Sequence, residues 1–374
     1  MRRTIVLLAT MALTLLVASG VVLALTKIGS AGAQSSVVGP GESIQKAINA
    51  AHPGDTIIVR GVHKEDVVIR KDGIKLRGED NAVIEAPPRA KADSPCSKVT
   101  GGPEGICVLG DVNLKTGELT GPRVSDVSVS GFTIRGFKIG SKGASVIDVT
   151  GARNTTVLGN RLIVGNRLIG QVAAPIVVFR SVNTTLANND VIGSPETDAA
   201  GINVFSSSRT TVVGNNISGI AWGIAVIDAH RGSFTGNTIH NTCGGMFFEA
   251  APSQPVDDFE VKGNTVENNT RSCRAAKFGA NFSGIGIAVL GASGMEVTGN
   301  HLSGNVPSGP TPVSGGVIVS INPFFGGSVK PRNNSIIANH FGRNKPDIFW
   351  DKSGSGNRFV GNLCNTSVPT RLCD

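Results

Sequence analysis

A short string of residues recurs along this chain. NTTVLGN begins at Asn154, NTTLANN at Asn183 and RTTVVGN at Arg209. A repeat of this length forms one structural unit that cannot bury its apolar face alone, so copies of the unit must stack on one another. We therefore expect the chain to fold as a regular array of similar units.

The asparagine that closes each copy is the clearest marker of the repeat. Successive markers are separated by 29, 26, 22, 27, 36, 39 and 23 residues. We take the shortest interval as the bare unit and expect the longer ones to contain loops. The amides of successive units should stack inside the molecule, each bonding to the next. The marker residues are Asn160, Asn189, Asn215, Asn237, Asn264, Asn300, Asn339 and Asn362.

Each unit contains three short stretches. The first is of the GIxV type, such as GINV from Gly201, and the second is of the TxV type, such as TTVVGN from Thr210. The third begins at the marker, as in NNIS from Asn215. Alternation of apolar and other residues with period two indicates strands. Three strands in so short a unit favour one turn of a coil, with turns stacked in parallel about 4.8 Å apart.

The two ends of the repeat region carry their own signals. Ser43 is placed to cap a short amphipathic helix that runs to about Ala51, before a PGD turn at residues 53–55. A helix in this place would cover the open edge of the first coil. At the other end, residues 364–374 read CNTSVPTRLCD, and we expect them to close the last coil.

These motifs resemble those of a known group of proteins. SIQKAINAAHPGDTIIV from Ser43, VSGFTIRGF from Val129 and the GN-type repeats are similar to right-handed parallel β-helix proteins of the pectin-lyase-like superfamily. Over residues 36–374, the resemblance implies an all-β, single-stranded right-handed parallel β-helix of about a dozen coils, made of PbH1-type repeats, with a short N-terminal capping helix and an inserted loop at 87–123. The superfamily contains pectate and pectin lyases, polygalacturonases, alginate epimerases and non-catalytic accessory proteins, so the fold alone assigns no activity.

Residues 1–33 have the features of a secretory signal peptide. A charged start precedes an apolar run over residues 5–25, and an A-x-A sequence closes the segment. Its removal lowers the formal net charge from +8 to +5, because it contains Arg2, Arg3 and Lys27 and no acid. We expect a secreted or extracytoplasmic protein. The alternative is a membrane anchor formed by residues 5–25.

Six cysteines, an even number, suit disulfides in an exported chain. Their order favours local pairs, although order alone leaves other connectivities open. In a stacked coil, the cysteines that follow NTIHNT and NTVENNTRS lie at the same corner of neighbouring coils, within the Cα separation that a disulfide needs. The expected pairs are Cys96 with Cys107, Cys243 with Cys273, and Cys364 with Cys373.

The resemblance implies that catalytic groups lie on an outward face of the coil. The outward residues of the GIxV strands are mostly apolar, which favours a covered face. A polar corner follows these strands, and a cation, carboxylates and a histidine there have the chemistry to neutralise a sugar acid and to move protons. Turn capping and ion pairing are the competing explanation. The predicted catalytic residues are Arg180, Asp228, His230 and Glu249.

Candidate binding residues are fewer. Trp222 is predicted to lie near the Asp228 corner and to stack on a sugar ring, with Arg231 and Asn203 as further substrate contacts. The sequence has no zinc spacing, so we expect no metal and no cofactor. Calcium is the one alternative left open, and no acid cluster supports it. His301 and His340 form a vertical pair on the predicted coil but lack a third ligand.

The sequence thus predicts an exported, carbohydrate-active β-helix protein that acts on an acidic extracellular polysaccharide as a lyase, an epimerase or a hydrolase. The alternative is a non-catalytic surface-binding or accessory protein, so the sequence leaves open whether the chain is an enzyme. The expected partner is a polysaccharide or a cell-surface glycan. We expect a monomer with no nucleic-acid partner, since no nucleotide motif is present, and membrane contact only through an uncleaved N-terminal segment.

Overall fold

A computed structural model describes residues 32–87, 94–100, 104–137, 145–165, 174–194, 199–275, 279–322 and 328–374. Residues 33–374 form one compact unit. Most of the predicted signal peptide, residues 1–31, lies outside the described residues, so the signal stays a prediction. Within the described ranges, no helix is long and apolar enough to cross a bilayer.

The GIxV stretches form an eleven-stranded parallel sheet, called sheet 1 below. Each strand contributes one row to the sheet, and successive rows come from successive coils. Its strands are Val67–Ile69, Ile106–Leu109, Ile147–Thr150, Ile176–Phe179, Ala200–Phe205, Trp222–Ile227, Gly244–Glu249, Ile285–Leu290, Gly315–Ser320, Ile348–Trp350 and Ser367–Val368.

The TxV stretches and the stretches after the marker asparagines form a 21-stranded sheet, called sheet 2. A small antiparallel pair joins Cys273–Ala275 to Ala280–Phe282. The strands of sheet 2 are Ser35–Val38, Thr56–Lys64, Lys75–Glu85, Val124–Ser125, Ser128–Ser130, Thr133–Arg135, Ala152–Leu158, Arg161–Ile163, Val182–Ala187, Asp190–Ile192, Ser208–Val213, Asn216–Ser218, Ala229–Thr235, Thr238–His240, Val256–Lys262, Thr265–Glu267, Glu296–Thr298, His301–Ser303, Ser335–Ile337, His340–Gly342 and Arg358–Val360.

Each coil lies over the next in register. In sheet 1, Ile202 pairs with Ile224 and Ile224 pairs with Met246. In sheet 2, Val212 pairs with Phe234. All five side chains are fully buried. Because side chains alternate across a strand, one set from every strand faces a single continuous interior, which is the apolar core. The predicted parallel stacking is confirmed.

The GN string at the end of the TxV strands has a conformational cause. Its glycine has a φ near +60°, which disfavours residues that carry a Cβ. The residues concerned are Gly159, Gly214, Gly236, Gly263, Gly299 and Gly361. The asparagine that follows turns inward, and each amide nitrogen donates to the Oδ1 atom of the next asparagine at 2.9–3.1 Å. The predicted ladder runs unbroken from Asn160 to Asn362.

Two short helices accompany the coil. The helix Ile44–Ala50 begins at the predicted N-cap, Ser43, whose side chain accepts a hydrogen bond from the Lys46 backbone N–H. Its Ile44 and Ile48 side chains are buried against the first coils. The second helix, Pro95–Thr100, lies in the predicted insertion.

The three predicted disulfides are present. Their Cα–Cα distances are 6.4 Å for Cys96–Cys107, 5.8 Å for Cys243–Cys273 and 5.2 Å for Cys364–Cys373. The first fastens the helix Pro95–Thr100 to the sheet 1 strand Ile106–Leu109, which itself lies within the predicted insertion. The second joins neighbouring coils. The third lies in the segment that closes the last coil.

Candidate functional site

The outward face of sheet 1 is covered along much of its length. One outward position of sheet 1 is occupied on seven successive coils by Asp148, Val177, Asn203, Ala225, Phe247, Ala288 and Ile318. Ala225 is half-buried, and each of the other six is at most 4% exposed. This agrees with the covered face that the apolar pattern favours. The covering residues include Val112 and Leu119 of the insertion at one end, and Phe282 and Val313 near the other.

The polar corner lies just after the sheet 1 strands. Arg180, Ser206 and Asp228 hold equivalent positions on three successive coils, and each has a φ between 47° and 50°. The hydroxyl of Ser206 donates to Oδ2 of Asp228 at 2.6 Å. Because coils are about 4.8 Å apart, Arg180 and Asp228 are separated by about 10 Å along the coil axis.

A groove of about 180 Å³ opens beside this corner. Two predicted catalytic residues, Asp228 and His230, line it together. Arg123 lines it from the insertion, and its Nε donates to the carbonyl oxygen of Arg180 at 3.4 Å. No repeat in the sequence indicates Arg123, because its position depends on how the insertion folds over the coil. Among the described residues, the lining comprises Arg123, Ser181, Val182, Ser206, Ser207, Ser208, Asp228 and His230.

His230 is held by a carboxylate from the next coil. Its Nδ1 lies 2.9 Å from Oδ2 of Asp257, and the two residues are paired in sheet 2. An ionised carboxylate only accepts hydrogen bonds, so this contact places the proton on Nδ1 and leaves Nε2 as an acceptor. The two side chains are 41% and 34% exposed, which keeps the pair accessible from solvent. Asp257 was also missed in the sequence.

Arg180 packs beside the groove and does not line it. Its guanidinium carbon lies 5.1 Å from the ring centroid of Phe179, which is stacked on Phe205 at 5.4 Å. Its Nε is buried and, among the described residues, has no hydrogen-bond partner. The guanidinium of Arg180 therefore lies near the groove and packs on the stacked rings of Phe179 and Phe205.

The predicted position of Trp222 is wrong. Trp222 begins the strand Trp222–Ile227, whereas Asp228 follows the end of that strand, about 20 Å away at the rise of an extended chain. The indole packs edge-on against Phe247, with ring centroids 5.1 Å apart, and against Phe282 at 5.5 Å. Trp222 is thus part of the apolar packing on the outward face of sheet 1.

Three further predicted residues do not line the groove. Glu249 ends the next sheet 1 strand, where it pairs with Ile227. Asn203 lies under the cover of sheet 1 and is 4% exposed. Arg231 follows His230 in the strand Ala229–Thr235, and its side chain is exposed. The predicted group of Arg180, Asp228, His230 and Glu249 therefore reduces to Asp228 and His230 in the groove itself.

Asp148 is a buried carboxyl group that no motif in the sequence singles out. It is 1% exposed under the cover of sheet 1. Burial raises its pKa to about 6, although hydrogen bonds from Thr150 and Ser145 lower it in part. The sequence shows Asp148 as an outward residue, and only the fold of the covering segments makes that position buried.

The residues that the structure describes offer little to hold a metal ion. Within the described ranges, the one group of three neighbouring ligand-type residues is Cys96, Glu104 and Cys107, and both cysteines are in a disulfide. Disulfide sulfurs cannot act as thiolate ligands. His301 pairs with His340 in register, as predicted, and both side chains are exposed. The expectation of no cofactor stays a prediction.

The comparison with protein families decides the fold. A family described as right handed beta helix region matches residues 145–336, about half of the chain. The chain belongs to the right-handed β-helix family. The predicted fold class is therefore confirmed, including its handedness. No curated protein matches the chain.

Solved β-helix structures are similar in fold and distant in sequence. DFA-IIIase from Arthrobacter chlorophenolicus A6, without its lid and in complex with GF2, has a TM-score of 0.55 at 13% identity and covers 87% of this chain and 94% of its own. A mutant of the same protein in complex with DFA-III gives 0.54 at 14%, with 82% and 84% covered. The Dettilon tailspike protein gives 0.51 at 13%, and the match spans 87% of this chain and 66% of the tailspike. At identities this low, the structural similarity shows a shared fold alone.

Proposed function

We propose that this β-helix protein acts on an acidic extracellular polysaccharide by proton transfer in the groove beside sheet 1. The observation that carries the proposal is the 2.9 Å contact between His230 Nδ1 and Asp257 Oδ2, with His230 lining the groove. The carboxylate fixes the imidazole ring and its tautomer, so that Nε2 acts as a general base.

The other polar residues of the groove suit a sugar acid. Arg123 supplies a cation for the carboxylate of a uronate unit, and that contact makes the neighbouring C–H proton easier to remove. His230 then takes the proton, and Asp228, oriented by Ser206, is the second acid–base group. Loss of the adjacent glycosidic oxygen gives elimination, whereas return of a proton from the opposite face gives epimerisation.

An extracytoplasmic location is part of the proposal. Three disulfides support it, because such bonds persist in oxidising compartments. The formal charge of +5 after residue 33 favours an anionic polymer. The likeness in fold to DFA-IIIase, which has been solved with GF2 and with DFA-III bound, supports a ligand-binding role for a coil of this kind.

Turnover assays on polygalacturonate, alginate and glycosaminoglycans test the proposal. Elimination gives an unsaturated product that absorbs ultraviolet light, epimerisation changes the uronate composition seen by NMR, and hydrolysis releases reducing ends alone. The His230→Gln variant should lower turnover by at least about 100-fold. His240→Gln, a histidine change outside the groove, is the matched control and should retain activity. Full turnover by the His230→Gln variant would rule out the proposed base.

The covered outward face of sheet 1 favours a second function, non-catalytic binding. Val177 and Phe247 on this face are each 4% exposed, so a substrate would meet few of its side chains. A binding protein would retain a glycan without releasing product from any of the three polymers. Binding that survives both His230→Gln and Asp228→Ala, with no product formed by the unmodified protein, supports this function over the enzymatic one.

A further inference from the structure

Most of the net positive charge after residue 33 lies in the last coils. Residues 34–374 contain 32 Lys and Arg against 27 Asp and Glu, and residues 328–374 alone contain seven against three. The last 47 residues therefore contribute +4 of the formal +5. A local excess of one sign creates a surface potential that attracts the opposite charge.

The charge of these coils is exposed and uncompensated. All seven cations are exposed, and within the described ranges none of them forms an ion pair. The three acids are occupied by other donors: Asp347 by Asn344, Asn365 and Thr366, Asp351 by backbone N–H groups, and Asp374 by the N–H of Gly361. The cations are Lys330, Arg332, Arg343, Lys345, Lys352, Arg358 and Arg371.

Four of the seven cations lie together on two successive coils. The backbone of Arg332 pairs with that of Ser355 on the next coil. Lys330 lies two residues before Arg332, and Lys352 lies three residues before Ser355. Arg358 pairs with Ser335 on the adjoining strand. With coils about 4.8 Å apart, these side chains project from one area of the surface. We call Lys330, Arg332, Lys352 and Arg358 the C-terminal basic patch.

The patch is separate from the groove. Residues in register with His230 on the next three coils are Asp257, Ser293 and Arg332. Arg332 therefore lies three coils, or about 14 Å, from His230 along the coil axis. On the strands Val256–Lys262 and Glu296–Thr298 between the two sites, four carboxylates outnumber one cation, Lys262, which disfavours an anionic chain on the direct path. These acids are Asp257, Asp258, Glu260 and Glu296.

We propose that the C-terminal basic patch is a binding surface for a linear anionic polysaccharide, distinct from the groove. Exposed cations spread over two coils suit a polymer that repeats its charge, and arginine binds carboxylate or sulfate groups through two parallel hydrogen bonds. The choice of a polysaccharide as the polymer rests on the proposed function. The binding itself needs no chemistry in the groove.

The described surroundings of the patch argue against single-stranded nucleic acid as its partner. Single-stranded nucleic acid is held by aromatic side chains that stack on the bases. The aromatic residues nearest in sequence, Trp350 and Phe359, pack on each other with ring centroids 5.5 Å apart and against the core. They are therefore occupied by the fold and do not form a platform for bases.

Binding of the purified protein to polygalacturonate and to heparin at rising salt tests the inference. Changing Lys330, Arg332, Lys352 and Arg358 together to Gln should weaken binding to one or both polymers by at least about tenfold at low salt. The matched control changes four exposed lysines elsewhere that form no ion pair within the described ranges, and it should lose less than about twofold. The control lysines are Lys46, Lys75, Lys98 and Lys115.

Equal losses in the patch variant and the control would overturn the inference, because net charge alone would then explain binding. It would also be overturned if the protein bound anionic phospholipid vesicles or duplex DNA, and neither polysaccharide, at the same salt. Failure of the proposed chemistry is a different result. If binding depends on the patch and the protein shows no turnover, this inference stands and the enzymatic proposal is refuted. If the protein shows turnover and binding does not depend on the patch, the enzymatic proposal stands and this inference is refuted.

Discussion

The amide of Asn215 donates to Oδ1 of Asn237 at 3.0 Å, across 22 residues of sequence and one coil of the fold. The same oxygen accepts the backbone N–H of Asn215 at 3.0 Å. Both residues are at most 1% exposed. Each coil thus fixes the position of its neighbour through buried polar groups that have no access to water, which makes the stacking register specific.

Replacement of Asn237 by Ala should destabilise the coil strongly. It leaves two donors of Asn215 without this acceptor in the interior, and we expect a loss of about 3 kcal/mol or more. Chemical unfolding followed by circular dichroism measures the loss. Asn216→Ala, which removes one exposed hydrogen bond to Asp190, is the control and should cost less than about 0.5 kcal/mol. Similar losses in both variants would show that the ladder does not specify the stacking.

The sequence allowed this ladder to be predicted because its asparagines recur after a constant local string. A second ladder, from Thr242 through Asn269 and Asn305 to Asn344, has the same physical basis, with side-chain bonds of 2.6–2.9 Å. The intervals between its members, 27, 36 and 39 residues, equal those of the first ladder over the same coils. It was missed because no constant glycine precedes its members and because its first member is a threonine. A constant local string therefore allowed the first ladder to be predicted, and the second has no such string.

The two disulfides nearest the C-terminus should differ in their contribution to stability. Cys243–Cys273 closes a separation of 30 residues and Cys364–Cys373 one of 9. Loop-closure entropy gives about 3.5 and about 2.5 kcal/mol for these two lengths. Double Cys→Ala variants of each pair, compared by chemical unfolding, should rank in that order. A larger loss from the terminal pair would mean that it stabilises the end of the coil by more than loop closure.

The candidate site was less predictable than the fold. Asp228 and His230 are two residues apart in the sequence, so their joint position at one corner could be predicted. Asp257 is 27 residues further on, and its contact with His230 depends on the loop that enlarges that unit. Arg123 comes from the insertion, whose fold has no repeat to indicate it. The residues contributed by loops could not be predicted from the repeat, because periodicity constrains only the coil.

Trp222 should act on stability and not on substrate. Because its ring packs against Phe247 and Phe282, Trp222→Ala should cost about 3–5 kcal/mol. Trp222→Phe should recover much of that loss. Polysaccharide affinity, measured on folded Trp222→Phe protein, should be unchanged. A large loss of affinity in that variant would restore the sugar-stacking role that the sequence suggested.

Asp148 should make stability fall as the pH rises. Its folded pKa of about 6 lies above the ordinary value of 3.8, so between these values the folded state retains a proton that the unfolded state releases. The stabilisation is complete below about pH 4 and is lost as the pH rises through about 6, by at most about 3 kcal/mol. Relative to the unmodified protein, Asp148→Asn should therefore gain stability between pH 4 and pH 7, as measured by urea unfolding. Asp80→Asn, an exposed change, should show no such gain, and a pH-independent difference for Asp148→Asn would contradict the assignment.

Asp257 should control turnover through His230. Asparagine at this position no longer enforces a proton on Nδ1 of the imidazole, so kcat on the active polymer should fall by at least about 100-fold with little change in KM. Asp258→Asn alters the neighbouring carboxylate, which has no contact with His230, and should stay within about twofold of the unmodified protein. Thermal unfolding of both variants verifies that the coil is intact. Equal losses in the two variants, or a loss confined to KM, would show that Asp257 contributes only surface charge and that His230 does not depend on it for its tautomer.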